Sequence, residues 1–541
     1  MTLRRGAGLV SLVLLVAACT TGGEPPATVS PTSTTVPSAT TITEASCPDA
    51  FCIVYRIRPE ADWSDGRPVT AEDFAFTYQA YASKQDQPLW GYDLVTEVTI
   101  IDEKTFRLAL SEVFPAWRTL FPVVLPAHAP SDPRVTSGPF VMADAAPDAV
   151  VVRRNPAYWA EKDPLSGEPL GDVETLRFVD PGGLRSSLGA LLRGEVHLIV
   201  PDPLDWALAE IGEMEGVTLR LAPGPVWEHI DFNHIDPLLS QPWVRQAFAR
   251  AIDREAILAA TVRTLDPSAP ALGSTVWMTN SVNYEDHYTT SYDPVAAIQI
   301  LLDRGCVRGG DGIFVCDGAR MSFVWAAAAG DPMRRAVFEV VSDQLAQVGI
   351  EVVADFRTPS ELYAAEFLFG GPEDWQLINF PWQGSADPYR ANSIYRCEGE
   401  LNVNRYCNPE VETLIDTADR TLDPGERVRL YNQADAVYLA DLAVIPLFQR
   451  PVALAWRSDL AGPQPNISRS TPLWNVASWS GRDEAVIALS AVPTLGDLLF
   501  PTNPEEAMVI AALYYGAFGV DPELRFVPVL VESAEAFVGA P

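Results

Sequence analysis

Trp63-Ser64-Asp65-Gly66-Arg67-Pro68-Val69-Thr70-Ala71-Glu72-Asp73 is the stretch from which the rest of the chain can be read outward. Asp65-Gly66 is a turn signal. Thr70 with Asp73 three residues later has the form of a capping box. A helix is therefore expected to open there and run through Phe74-Ala75-Phe76-Thr77-Tyr78. Backwards from this stretch, residues 53–58 are rich in strand formers and end in apolar–polar alternation. Forwards, residues 95–101 and 105–110 read as a strand pair turned at Asp102-Glu103. Ser137-Gly138-Pro139-Phe140 leads into another pair, whose second strand is 150–153.

Further markers follow in order. Arg154-Asn155-Pro156-Ala157-Tyr158-Trp159 comes directly after that pair. Asp231-Phe232-Asn233 precedes Val244-Arg245-Gln246-Ala247 and Ala251-Ile252-Asp253-Arg254. Tyr292-Asp293-Pro294 opens a helix that reaches Leu301-Leu302, and Gln344-Leu345 leads to Val348-Gly349-Ile350-Glu351-Val352. Asn404-Arg405-Tyr406-Cys407-Asn408-Pro409 precedes a helix containing Leu414-Ile415. Each marker alone is weak. Together, and in this order over residues 54–447, they resemble the family 5 extracellular solute-binding proteins, the peptide, oligopeptide and nickel binders of ABC importers. The resemblance implies an α/β fold of the type II periplasmic-binding-protein kind, with two lobes and a ligand cleft between them. It places lobe I at 47–231 and 449–541, and lobe II at 232–448.

One departure from the family pattern is informative. Family members begin with a strand, a proline-containing turn, a helix ending near Tyr-x-Gly-Leu, and a Pro-x-Leu-Ala-Glu segment, all ahead of the Trp-Ser-Asp-Gly run. Here a similar block stands at the other end, over residues 485–541. Residues 486–490 read as the strand, Pro493-Thr494-Leu495 as the turn, and 507–515 as a helix reaching Gly516. Phe526-Val527-Pro528-Val529-Leu530-Val531-Glu532-Ser533 stands in for the Pro-x-Leu-Ala-Glu segment. The expectation is a circular permutation, which adjacent surface termini make tolerable. The alternative is a truncated second domain, but so short a stub could not bury a core of its own.

The chain start sets the compartment. Arg4 and Arg5 precede an apolar run over residues 9–18 that is too short to span a bilayer. Residues 1–18 are read as a signal peptide. Leu15-Val16-Ala17-Ala18-Cys19 resembles the bacterial lipobox, so Cys19 is the expected lipidation site. Residues 19–46, rich in Thr, Ser and Pro, carry little that could be buried and are expected to be a disordered tether. The net charge of −33 disfavours nucleic acid and anionic lipid as partners. Six further cysteines fall into three short-range couples: Cys47 with Cys52, Cys306 with Cys316, and Cys397 with Cys407. Six cysteines allow fifteen pairings, and these couples are the only short-range set. The spacings do not suit zinc. Each small loop closed in an exported protein is worth roughly 2–3 kcal/mol.

The chain offers little for catalysis. Its histidines are His128, His197, His229, His234 and His287, with no Gly-x-Ser-x-Gly elbow and no His-Glu-x-x-His run. His229 and His234 are five apart, so on one continuous strand they face opposite sides and do not share a metal. No catalytic residue, metal or cofactor is expected. Ligand binding asks instead for an aromatic-lined cleft with a few fixed polar groups. Trp227, Trp277, Trp382 and Tyr389 are the candidates, all expected in loops, against the plainer reading of each as core. Asp387, in Trp382-Gln383-Gly384-Ser385-Ala386-Asp387-Pro388, lies in a segment similar to the one in which the family's aspartate holds the ligand's amino group. An Asp-Pro turn is its plainer reading. The resemblance thus implies a monomeric, lipid-anchored protein on the outer face of the cell membrane. It captures a small ligand, a peptide first of all, and hands it to an ABC importer permease. A cell-surface enzyme on this scaffold and a receptor with no transport role are the alternatives.

Overall fold

Trp63 explains why the opening stretch folds as it does. It is fully buried, and its indole Nε1 donates to Asp73 Oδ2 at 3.1 Å. The same oxygen accepts from Thr70 N at 2.8 Å, while Oδ1 accepts from Ala127 N at 2.7 Å. One buried carboxylate therefore caps helix Ala71–Ala82, fixes the preceding turn and holds a distant loop. Gly66 takes the left-handed φ of +84° that the turn requires. This computed structural model describes residues 47–84, 91–466 and 472–539. The expected signal peptide, Cys19 and the tether up to residue 46 lie outside the described residues. Among those described, no helix is long and apolar enough to cross a membrane.

A ten-stranded sheet organises the molecule. Its order is Glu351–Arg357, Ser322–Ala328, Leu377–Gln383, Val217–Phe232, Val444–Arg457, Leu198–Ile199, Glu484–Ala488, Thr175–Val179, Ala149–Arg154, Phe140–Ala146. The two long strands near its middle, Val217–Phe232 and Val444–Arg457, pair antiparallel, with register shifts at Pro446/Phe448 and Gln449/Pro451. The two largest buried apolar clusters both draw on them, one through Leu454 and Trp456, the other through Ile230, Phe232, Ile445, Leu447 and Phe448. One draws on residues 51–198 and 454–531, the other on residues 230–448. The expected lobe crossovers, at 231/232 and 448/449, fall within these two strands.

A four-stranded antiparallel sheet completes the first cluster, in the order Val531–Val538, Phe51–Ile57, Thr105–Leu110, Val95–Asp102. The C-terminal block is woven through this half. Strand Glu484–Ala488 runs parallel between Thr175–Val179 and Leu198–Ile199. Helix Pro504–Leu513 presents its last carbonyl to Gly138, whose N–H donates to Leu513 O at 2.8 Å. A Cβ on Gly138 would lie 2.7 Å from that oxygen, so the Ser-Gly-Pro-Phe motif needs glycine for this approach. Leu489, Ile510 and Leu513 are buried and Leu495 is half-buried. Val538 pairs with Phe51, and Gly539 N donates to Ala50 O at 2.9 Å.

Element bounds in the C-terminal block differ from expectation. The helix sought at 507–515 starts at Pro504 because Asn503 caps it, accepting from Glu506 N at 2.8 Å. It stops at Leu513 because Tyr514 is already extended. The strand sought at 486–490 spans Glu484–Ala488. The disulfides Cys47–Cys52, Cys306–Cys316 and Cys397–Cys407 are all formed.

Candidate ligand cleft

Two of the four aromatic candidates lie on strands, not in loops. Trp227 and Trp382 stand opposite each other in the pairing of Val217–Phe232 with Leu377–Gln383. A cross-strand aromatic pair is favourable on a pleated surface, which explains the placement. Trp227 is buried and Trp382 half-buried. Trp277 is core in lobe II, edge-on to Tyr431 with centroids 6.1 Å apart. Tyr389, in the short turn Pro388–Tyr395, reaches out of its own lobe. It packs edge-on to Phe114 of the first cluster at 4.9 Å.

Asp387 does not stand as an open acceptor. Its carboxylate is bidentate with Arg427, Nη1 to Oδ2 at 2.6 Å and Nη2 to Oδ1 at 2.8 Å. It also accepts from Tyr389 N at 3.0 Å, capping the turn that carries Tyr389. Arg427 sits on helix Pro424–Ala440, which Asp423 caps. Burial alone would lower the Arg427 pKa, but Asp387 outweighs it and raises the guanidinium above its ordinary value.

Sequence reasoning missed Arg118, which belongs to the first cluster's side. Its guanidinium lies over the Trp117 ring, 4.3 Å from the centroid. Burial lowers its pKa, Asp387 opposes that shift, and Arg427 adds to it, so these groups lie within electrostatic reach of one another. Among the described residues the Arg118 guanidinium makes no ion pair or hydrogen bond. Arg118 is thus a cation within electrostatic reach of the Asp387–Arg427 ion pair. No pattern around Arg118 distinguishes it in the sequence, and Arg427 lies 40 residues from its partner.

A second charged group ties the crossover strands. Glu228 is fully buried and accepts from Arg334 Nε and Nη2 at 3.1 and 3.0 Å, Arg450 Nε at 2.7 Å, and Asn379 Nδ2 at 3.0 Å. Burial would raise its pKa. Arg450 and Arg334 overcome that and hold it at about 2. The histidines are spent separately: His229 Nε2 lies 3.0 Å from Asp231 Oδ2, and His234 Nε2 donates to Ala443 O at 2.9 Å. Two surface hollows, of about 570 Å³ over Ala129–Arg134 and about 280 Å³ beside Asn432 and His287, do not touch Asp387.

A sequence profile of bacterial extracellular solute-binding proteins, family 5 (middle region), matches residues 39–395. The chain belongs to that family. As a family 5 protein it is 26% identical over 433 residues to the oligopeptide-binding protein OppA of Mycobacterium tuberculosis, covering 76% of this chain and 71% of OppA. It is 24% identical over 408 residues to the glutathione-binding protein GsiB of Salmonella typhi, covering 70% and 74%. In fold it is similar to the oligopeptide-binding protein AppA of Bacillus subtilis, solved with a nonapeptide. The TM-score is 0.56 at 21% identity, covering 80% of this chain and 87% of AppA. The family's fold is the α/β, two-lobed type II binding-protein fold.

Proposed function

We propose that this family 5 protein captures peptides in the cleft between its lobes and delivers them to an ABC importer, held at the outer membrane face by lipid on Cys19. The observation that carries the reading is Arg118. It is a half-buried guanidinium, unpaired among the described residues, stacked over Trp117 and within electrostatic reach of the Asp387–Arg427 pair. Such a group suits a carboxylate, through a charge-assisted hydrogen bond in a shielded setting. A peptide supplies one at its C-terminus, and the peptide-binding names of OppA and AppA agree with this choice. Asp387 acts as the counter-ion that fixes Arg427 and the Tyr389 turn. An ammonium would have to share or displace Arg427 to reach it. The chain works by binding, without turnover, and carries no cofactor.

Isothermal titration with a tripeptide and its C-terminal amide tests the reading. Arg118→Ala should weaken binding of the free acid about tenfold or more and leave the amide unchanged, the loss expected of one charge-assisted bond. Equal effects on both would refute the carboxylate role.

We further infer that the chain is a circular permutant of the family order. The support is that strand Val531–Val538 pairs with Phe51–Ile57, and that the block from Glu484 onward packs into lobe I. The corresponding experiment moves residues 484–539 ahead of Cys47 through a short turn. That rearranged chain should fold and melt like the original, whereas a misfolded product would count against permutation.

A further inference from the structure

The hairpin Phe518–Val520 and Phe526–Pro528 belongs to lobe I at its base and to lobe II at its tip. At the base, Phe518 packs edge-on to Trp117 at 5.7 Å, and a Cβ on Gly519 would collide with Leu165. At the tip, Asp521 holds the turn. Its Oδ1 accepts from Glu523 N at 3.0 Å and Arg525 N at 2.8 Å, and its Oδ2 from Arg525 Nε at 2.7 Å. The turn so built puts Leu524 at φ +62°, a region a leucine rarely adopts. Leu524 is nevertheless only 5% exposed, buried against Trp227, Leu272 and Met278. Asn280 Nδ2 donates to Pro522 O at 2.7 Å beside it.

We propose that Leu524 is the chain's own occupant of an aliphatic subsite in the ligand cleft, and that it excludes ligands with a large apolar side chain at that position. The placement argues for this. Trp227 is paired with Trp382, and Trp382 and Ala386 flank the same cluster one short loop before Asp387. The pocket is already built on the lobe II side. Gly384 lets Met278 press against the backbone, since a Cβ there would lie 2.4 Å from Met278 Cγ. A leucine held in a strained backbone by a pre-formed turn, with its side chain across the lobe boundary, behaves as a fixed plug. Unfavourable backbone persists where the surroundings over-determine it, and such positions gather at binding sites.

The proposal rests on the peptide reading, so the test separates the two. Leu524→Gly suits the positive φ, keeps the turn, and empties the pocket. The probes are Ala-Ala-Ala and the three tripeptides in which one alanine is replaced by leucine. In the wild-type protein leucine should bring no gain over Ala-Ala-Ala. In Leu524→Gly one leucine position should gain about tenfold or more, the discrimination a filled apolar pocket provides. Equal ratios in both proteins would overturn the proposal. If no tripeptide binds either protein the peptide reading fails, and the plug is then read with isobutanol, which mimics the excised side chain. Isobutanol should shift tryptophan fluorescence saturably in Leu524→Gly and not in the wild type; a shift that saturates in neither would overturn the plug.

Discussion

Replacing Glu228 with glutamine tests the charge network on the crossover strands. The carboxylate is fully buried, and Arg334, Arg450 and Asn379 all donate to it. Its pKa is held at about 2 against an ordinary 4.5. Each pH unit of that gap is worth about 1.4 kcal/mol, so the ionised group contributes about 3 kcal/mol at neutral pH. Glu228→Gln also leaves Arg334 short of its counter-ion. Breaking a buried pair by removing one partner costs about 3–5 kcal/mol, a consistent scale. The sign of the pH dependence follows from the direction of the shift. A folded-state pKa below the unfolded one gives stability that is fully present above about 4.5 and is lost as pH falls towards 2. Urea unfolding followed by tryptophan fluorescence should show the variant about 3 kcal/mol less stable at pH 7. The gap should shrink to about 1 kcal/mol at pH 3. A gap that stays constant with pH, or one below about 1 kcal/mol at pH 7, would show that the ionised Glu228 does not stabilise the fold in this way.

Asp387→Asn should cost stability even without ligand, about 3–5 kcal/mol, because Arg427 would be left buried without its partner; an unchanged urea midpoint would count against the pair. Deleting everything after Gly481 should yield unfolded or aggregated chain, since Ile510, Leu513 and Leu530 are part of the lobe I core; a retained cooperative melt would contradict this. Cys306→Ser with Cys316→Ser should lower stability by about 2–3 kcal/mol, the chain-entropy value for a short loop. Melting identical to the wild type would show that the bridge is dispensable.

Local chemistry was the legible part of the sequence. The capping pair Thr70 and Asp73, the Asp293 cap on Ala296 N and the Asn408 cap on Glu410 N all involve residues two or three apart, and all are in place. The cysteine couples were legible for the same reason. Sheet order was not, because it depends on partners far apart in the chain, such as Glu484–Ala488 beside Thr175–Val179. The cleft was half legible. The segment around Asp387 could be singled out, but not that Arg427 saturates it, nor that Arg118 lies within its electrostatic reach. Those facts arise from segments far apart in the chain converging in space, and no spacing rule encodes them. Trp227 and Trp382 stand out in the sequence as aromatics, but the strand pairing that sets them opposite each other is long-range and leaves no local signal.

Peptide capture by the cleft can be tested on the intact protein. Native mass spectrometry of the full chain, mixed with a pool of tripeptides to nonapeptides and with non-peptide metabolites as competitors, tests it most directly. One peptide should be retained per chain, with the retained fraction falling in Arg118→Ala. Retention of a non-peptide competitor, with no peptide bound at millimolar concentration, would contradict it.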